Sequence, residues 1–370
     1  MALVVLAGLA MVTWVVWDPT GSWSRWGKRG PITLAFAGDV LLDRGVRVAI
    51  ESTGLEALLT GAMDLFRGTQ FGLVNMECPA TRVKEPAAKR FVFRAEPEWL
   101  RGLRDSGVTH VCLANNHSLD QGSAGLEETI RAAEGYGLGV VGAGLTPVEA
   151  RRPRVALVGP GIRIALLAYS VFPQEGVVFN PSRPWICSFD PATFKAEVEE
   201  ARRLADLVVV SFHWGREFAD RPSTAQVDLA HRAAEWGADI VVGHHPHTVQ
   251  GIELYRPSDP SSRTCVIAYS LGNFVFDQKG DLTEETFILK VTVGRLHGIA
   301  VGRDRFGVTS VTVVPVLIED CSPRPARGED AERILSRIDE LSRAFGTTVD
   351  GSGRVDLFYE GFTGKTENMY

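Results

Sequence analysis

Short apolar runs alternate with stretches of helical period along most of the chain. Ile32–Ala37 is largely apolar and meets Gly38-Asp39. Phe71–Asn75 leads to Glu77, Val108–Ala114 to Asn115-Asn116-His117, Leu207–Phe212 to His213, and Ile240–Val242 to Gly243-His244-His245. Runs this short and continuous are the pattern of strands buried on both faces. Between them lie segments of helical spacing: Pro97–Ser106 with Trp99, Leu100 and Leu103, Ala124–Tyr136 with Leu126, Ile130 and Ala133, and likewise Pro191–Ala205 and Ala225–Trp236. These predict helices. Strands alternating with helices predict an α/β architecture.

After Thr264 the texture changes. Val266–Ser270, Thr286–Val293 and Val308–Val316 predict strands with no helix between them, and Gly294 to Gly307 supplies turn residues. A second, partly antiparallel sheet packed on the first is expected. Glu329–Phe345 predicts a last amphipathic helix, and residues 347–370 a polar tail, Gly-rich from Gly351. No internal repeat is present, so a single domain over residues 31–346 is expected.

The N-terminus has a different pattern. Met1 to Trp17 is apolar apart from Thr13 and carries no charge. At 1.5 Å per residue, such a run with a few flanking residues covers a hydrocarbon core of about 30 Å. Trp14, Trp17, Trp23 and Trp26 suit a membrane interface. Residues 1–17 are therefore read as a single-pass anchor, retained because no small-residue cleavage pattern follows. Residues 18–30 are read as a juxtamembrane linker. The basic residues Arg25, Lys28 and Arg29 after the run favour a cytoplasmic domain by the positive-inside rule.

Composition narrows the function classes. The chain has 370 residues, 45% hydrophobic and 23% charged, which is ordinary for a globular protein. A net charge of −6 with no Lys/Arg stripe argues against nucleic acid as a partner. The five cysteines are scattered and form no CxxC, which argues against a zinc–thiolate site or a disulfide framework. Cys112, between Val111 and Leu113, reads as a buried thiol.

What changes the picture is where the polar residues stand. Five apolar runs lead straight to a carboxylate, an amide or an imidazole. In an α/β sheet, ligands bind beyond the carboxyl ends of the strands. Asp39, Glu77, Asn116, His117, His213, His245 and His247 are thus expected to meet on one edge. Carboxylate, amide and imidazole together suit a divalent-metal hydrolytic site. Singly, each signal has a plain alternative: Gly38-Asp39 as a turn, His213 as a core histidine, Glu77 as a strand-end cap. The run Gly243-His244-His245-Pro246-His247 is stronger, because three imidazoles in four positions are costly to bury without a purpose. In an extended segment, His245 and His247 would point the same way and His244 the other.

Taken in order, Gly38-Asp39-Val40-Leu41-Leu42, Asn75-Met76-Glu77, Ala114-Asn115-Asn116-His117-Ser118-Leu119-Asp120, His213-Trp214-Gly215-x-Glu217, Gly243-His244-His245-Pro246-His247 and Ser270-Leu271-Gly272-Asn273-Phe274 resemble the motif series of the poly-γ-glutamate capsule synthesis (CapA) family. The resemblance spans about two-thirds of the chain, from Ile32 to Phe276. It implies a metallophosphatase-like α/β fold related to calcineurin-like phosphoesterases, a four-layer α/β/β/α sandwich with two facing mixed sheets. It also implies a domain outside the bacterial cell membrane, acting on synthesis or export of an anionic polymer such as poly-γ-glutamate, alongside other membrane proteins. One or two divalent ions (Mn, Zn or Fe) would be held by Asp39, Glu77, Asn116, His213, His245 and His247, with His117 as the acid. The chain departs from the wider superfamily in two places. Leu41 stands where a ligand histidine is expected, and Glu77 where an aspartate bridges. Asp120, His244, Arg94 and Asn273 are expected beside the ligands or the substrate. Asp120 could also cap a helix, and Asn273 could serve only its turn. Two roles follow: metal-dependent hydrolysis or transfer on the polymer or a phosphoester, or non-catalytic binding of the polymer.

Overall fold

The structure is a computed structural model that describes residues 31–159, 161–259, 262–296 and 306–357. The predicted anchor (1–17), the linker (18–30) and His297 lie outside the described residues. Among the described residues, no helix is long and apolar enough to cross a membrane.

The strand Ile32–Val40 is buried at every position but Thr33, as its unbroken apolar sequence demands. On one side it pairs in parallel with Phe71–Met76, followed by His110–Cys112 and Gly139–Val141. On the other it pairs antiparallel with Glu285–Arg295, followed by Phe306–Glu319 and Ser322–Pro325. Asn273–Val275 and Arg354–Val355 complete this nine-stranded sheet. The second sheet has six strands, in the order Ile252–Tyr255, Cys265–Ala268, Ile240–His244, Leu207–His213, Ile162–Ser170, Arg154–Gly159. Its inner four are parallel and its two edges antiparallel.

The expectation for the C-terminal strands is corrected here. They build no sheet of their own. Cys265–Ala268 joins Ile240–His244, while Glu285–Arg295 and Phe306–Glu319 extend the first sheet, with Phe36 opposite Leu289. The cause is the open edge of Ile32–Val40, whose backbone groups need a partner once buried. Residues 347–357, grouped by composition with the tail, are packed. Val349 and Val355 are buried, and Arg354–Val355 pairs with Phe306–Glu319.

Three apolar clusters fill the molecule. Leu34, Phe36, Phe71 and Leu73 of the larger sheet meet Ile164, Leu166, Val209 and Val242 of the smaller. The other face of the larger sheet (Ala35, Val74, Val111) packs on Val46, Leu59, Leu65 and Leu126. These come from the helices Arg44–Thr53, Leu55–Phe66 and Gly122–Gly135. The other face of the smaller sheet (Val208, Val210, Val241) packs on Phe194, Val198 and Ala230, from Phe194–Leu204 and Thr224–Glu235. Leu100–Asp105, after a 3-10 turn at Pro97–Trp99, and the C-terminal Gly328–Arg343 complete the predicted helices. All five cysteines are free and buried, so the apolar reading of Cys112 holds.

Candidate metal centre

The site lies where strands of both sheets end. Register puts Asp39 opposite Asn75 and Asn273 on the larger sheet, and His213 opposite His244 on the smaller. The two glycines before the acidic and imidazole motifs are there for space. A Cβ on Gly38 would lie 2.0 Å from the carbonyl oxygen of Gly272, and one on Gly243 1.9 Å from that of Tyr269. Only glycine lets the backbones approach so closely.

Asp39 is fully buried. Its Oδ1 accepts from Asn75 Nδ2 at 2.8 Å and lies 3.3 Å from His244 Nδ1. Its Oδ2 accepts the His245 N–H at 3.2 Å and lies 3.3 Å from His247 Nδ1. Glu77 Oε1 is 3.6 Å from His213 Nε2 and 3.9 Å from His247 Nε2. Asn116 Oδ1 is 2.8 Å from His213 Nε2. His247 Nδ1 is also 3.0 Å from Asn273 Oδ1. Phe172 covers His245 at 4.3 Å between ring centroids.

The convergence of His245 and His247 has a different origin from the one expected. Both have positive φ, 95° and 60°, so the segment is a turn and not an extended strand. The rings still lie 5.9 Å apart. Non-glycine residues held in this region cluster at functional sites. His244 ends its strand and reaches Asp39.

Buried polar atoms here outnumber their protein partners. Glu77 Oε2, His245 Nδ1 and His244 Nε2 have no hydrogen-bond partner among the described residues, and His244 Nδ1 has only the Asp39 carboxylate at 3.3 Å. Three sets of donor atoms each fall within 4.8 Å of one another: Glu77, His213 and His245; Asp39, Glu77 and His247; and Glu217, His245 and His247. Burial holds the His213 imidazole well below its usual range and His245 down at about 3, with neighbouring histidines adding to it. Both are therefore neutral, as ligands must be. Burial works against charge on Asp39, but His244 and His247 outweigh it and keep that carboxyl well below the usual range. Glu77 is pushed up by burial and then by Asp39. Burial works against charge on His247, but Glu77 and Asp39 outweigh it and raise it to about 9. Two buried carboxyl groups set among imidazoles, with orphaned atoms between them, fit a divalent cation, which would take the place of the proton on His247.

His117 stands beside this cluster. Its Nδ1 is 2.9 Å from Asp120 Oδ2, and its ring lies 4.3 Å from that of Phe93. Burial lowers its pKa, and Asp120 offsets part of that. Asp120 also accepts the Phe93 N–H at 2.7 Å and pairs with Lys89 Nζ at 2.5 Å. Asp120 therefore orients His117 and caps no helix. Asn273 faces the site through His247 and anchors its turn through the Thr283 carbonyl. The Arg94 guanidinium is occupied by Thr81 O and Glu96. Away from the site, the His110 ring lies tilted against Phe71 at 4.8 Å between centroids, and His231 pairs with Glu253.

Sequence reasoning did not assign Asn75, Asn115, Phe172 or Glu217, and it read Lys89 with Arg90 and Arg94 as a cluster facing a polyanion or solvent, whereas Lys89 is nearly buried against Asp120. Asn115 donates to Asn75 Oδ1 and Met76 O and holds the His117 N–H, which braces the loop. Glu217 had a signal, since it stands in the His213-Trp214-Gly215-x-Glu217 motif.

Comparison with known proteins agrees with this geometry in span. The family model for bacterial capsule synthesis protein PGA_cap matches residues 33–278, which hold every residue of the cluster. The PGA biosynthesis protein CapA of Bacillus subtilis (strain 168) is 31% identical over 314 residues, 84% of this chain and 78% of that one. The capsule biosynthesis protein CapA of Bacillus anthracis is 29% identical over 89% of this chain and 78% of its own. A "probable polyglutamine synthesis accessory protein" of Mycobacterium tuberculosis is 32% identical over 76% of this chain and 74% of its own. The motifs that line the site, the family match and these relatives agree: the chain belongs to the bacterial capsule synthesis (PGA_cap, CapA) family.

Proposed function

We propose that the protein acts in synthesis or export of poly-γ-glutamate through a divalent-metal site held by Asp39, Glu77, Asn116, His213, His245 and His247. The carrying observation is the set of buried donor atoms drawn together from both sheets, in a chain whose relatives are named for capsule synthesis. One or two ions of the manganese, zinc or iron kind suit this donor set. When bound, such an ion supplies Lewis acidity toward a substrate oxygen and an activated water. The protein's own part is orientation and proton handling. Asp120 fixes Nδ1 of His117, which leaves Nε2 to give a proton to a leaving group. Phe172 and Phe93 cover His245 and His117 and limit water around them. The substrate is the γ-glutamyl polymer or a phosphoester of its synthesis.

The fold reading within this proposal is a metallophosphatase-like sandwich of four layers, helix, sheet, sheet, helix, supported by the three apolar clusters. Its placement is extracytoplasmic, with Met1 to Trp17 as the membrane anchor, supported by the uncharged apolar run. A second reading is non-catalytic: an accessory protein that binds the polymer. Leu41 favours it, being fully buried and apolar where the wider superfamily carries a ligand histidine.

Elemental analysis of the purified full-length protein, beside Asp39→Ala/His247→Ala, tests the site. Stoichiometric metal that is lost in the variant is expected. No metal after reconstitution with manganese, zinc or iron would overturn the metal reading. Assays with γ-glutamyl, phosphomonoester and phosphodiester substrates separate the roles. Turnover abolished by His117→Ala with metal retained supports catalysis, and polymer binding without turnover supports the accessory role.

A further inference from the structure

A cavity of about 750 Å³ is lined in part by the loop that follows His213. Its wall includes Trp214 and the loop after it, Gly215, Arg216 and Ala219. That loop also carries Glu217, a member of one donor set, and Phe218, whose N–H donates to Pro246 O at 2.8 Å. On another side is Val171, next to the Phe172 that covers His245. The cavity is therefore lined by chain neighbours of residues at the metal centre.

The charge of the cavity runs against that of the chain. Arg216, Arg221 and Arg232 line it, with Asp228 as its one lining carboxylate, in a protein of net charge −6. None of the three arginines forms an ion pair or side-chain hydrogen bond among the described residues. Most other arginines of the domain are paired, as Arg47, Arg94, Arg151 and Arg202 are. The floor is apolar, with Trp214 and Phe189. A second cavity of about 260 Å³ shares Arg221 and Asp228 with the first, so the depression continues along the helix Thr224–Glu235.

Unpaired guanidinium groups set along a continuous depression suit an extended ligand with repeated carboxylates, because each presents planar donors matched to a carboxylate. A single small anion would need them focused on one point. The geometry points to this cavity as the docking groove for a polycarboxylate chain, with Arg216, Arg221 and Arg232 gripping successive carboxylates and leading the chain to the metal centre. This rests on the proposed role in poly-γ-glutamate synthesis and names where the polymer lies.

The test is binding of a short fluorescent γ-glutamate oligomer to the full-length protein, read by anisotropy. Three variants accompany wild type: Arg216→Gln/Arg221→Gln/Arg232→Gln, a charge-matched control Arg67→Gln/Arg101→Gln/Arg131→Gln on the far helices, and Asp39→Ala/His247→Ala. Wild type is expected to bind, and the cavity variant to bind about tenfold or more weakly with unchanged metal content. The control should stay near wild type, and the metal-site variant should keep more of the binding than the cavity variant does. Equal weakening in the control would reduce the effect to net charge and overturn the groove. So would wild-type affinity in the cavity variant. Inorganic polyphosphate of matched charge binding as tightly as the oligomer would overturn the carboxylate assignment. A wild type that holds metal but does not bind the oligomer sinks this inference alone. Binding lost only in the cavity variant, in a protein that takes up no metal, sinks the metal reading alone.

Discussion

At the scale of single residues, the site depends on charges that have no access to solvent. Asp120 is fully buried and its balance is Lys89, a residue that is itself nearly buried. The same lysine donates to Asn116 O at 2.6 Å, so it also pins the loop that carries Asn116 and His117. Removing one partner of a buried pair leaves an uncompensated charge, at a cost of about 3–5 kcal/mol. Lys89→Met should therefore lower the unfolding free energy by about 3 kcal/mol in urea titration. Adding Asp120→Asn should recover part of that, leaving a coupling of about 1 kcal/mol or more between the two changes. Additive costs would mean that the pair is not coupled. His110 makes a second test. An exposed imidazole titrates near 6.5, whereas burial drives His110 down to about 3. The unfolded chain therefore binds a proton that the fold refuses. Stability present above about pH 6.5 is lost as pH falls toward 3, by at most ~1.4 kcal/mol per unit. His110→Phe, which keeps a ring against Phe71, should reduce the slope of the stability profile between about pH 6 and 4, the buried His213 and His245 supplying the rest. An unchanged slope would show that another group governs it.

At the scale of elements, the site is made by strand ends and the tight backbone turns beyond them. Gly38 and Gly243 are where this is most exposed to test, since a methyl at either would meet a carbonyl oxygen at 2.0 or 1.9 Å. Neither carbonyl belongs to a flexible side chain, so the strands must move apart. Gly38→Ala and Gly243→Ala should each cost about 1–3 kcal/mol or more and reduce bound metal, measured by thermal melts and elemental analysis of the folded fraction. A stable variant with full metal content would show that the turns can relax. The same elements show what was legible in the chain. Continuous apolar runs marked the strands, and the polar residue after each marked the site, because burial on both faces leaves no other place for polarity. Sheet membership was not legible. Parallel strands of either sheet have the same apolar texture, so nothing local assigns Leu207–His213 to one sheet and Phe71–Met76 to the other. Ile162–Ser170 went unassigned although it is as apolar as its neighbours, for it ends on Ser170 and no motif drew attention to it. His245 and His247 were grouped on the pleat of an extended segment, whereas positive φ aims them. Lys89 read as part of a polyanion-facing or solvated cluster, because its partner Asp120 is remote in sequence and meets it only in the fold.

At the scale of the whole molecule, the donors come from both sheets: Asp39 and Glu77 from the ends of strands of the larger and the residue just beyond, His213, His245 and His247 from the end of a strand of the smaller and the turn after its neighbour. A cation held by both groups would tie the two sheets together at the rim of their shared apolar core. Without it, Asp39 is balanced only by His244 and His247, and Glu77 is driven toward its neutral form. Metal binding should then appear as global stability. A ligand present at a thousand times its dissociation constant adds about 4 kcal/mol to the folded state. For a domain of this size, that corresponds to a rise in melting temperature on the order of 5–10 °C. Chelation of the native protein should lower the melting temperature by that amount, and restoring the metal should reverse it. Asp39→Ala/His247→Ala should melt at one temperature whether or not chelator is present, because it has no ion to lose. The variant separates the ion's effect from that of the side chains, since chelator acting anywhere else would shift both proteins alike. If chelation strips the metal from the native protein and its melting temperature does not change, the ion does not bridge the sheets, and the donors of one sheet alone must account for its binding.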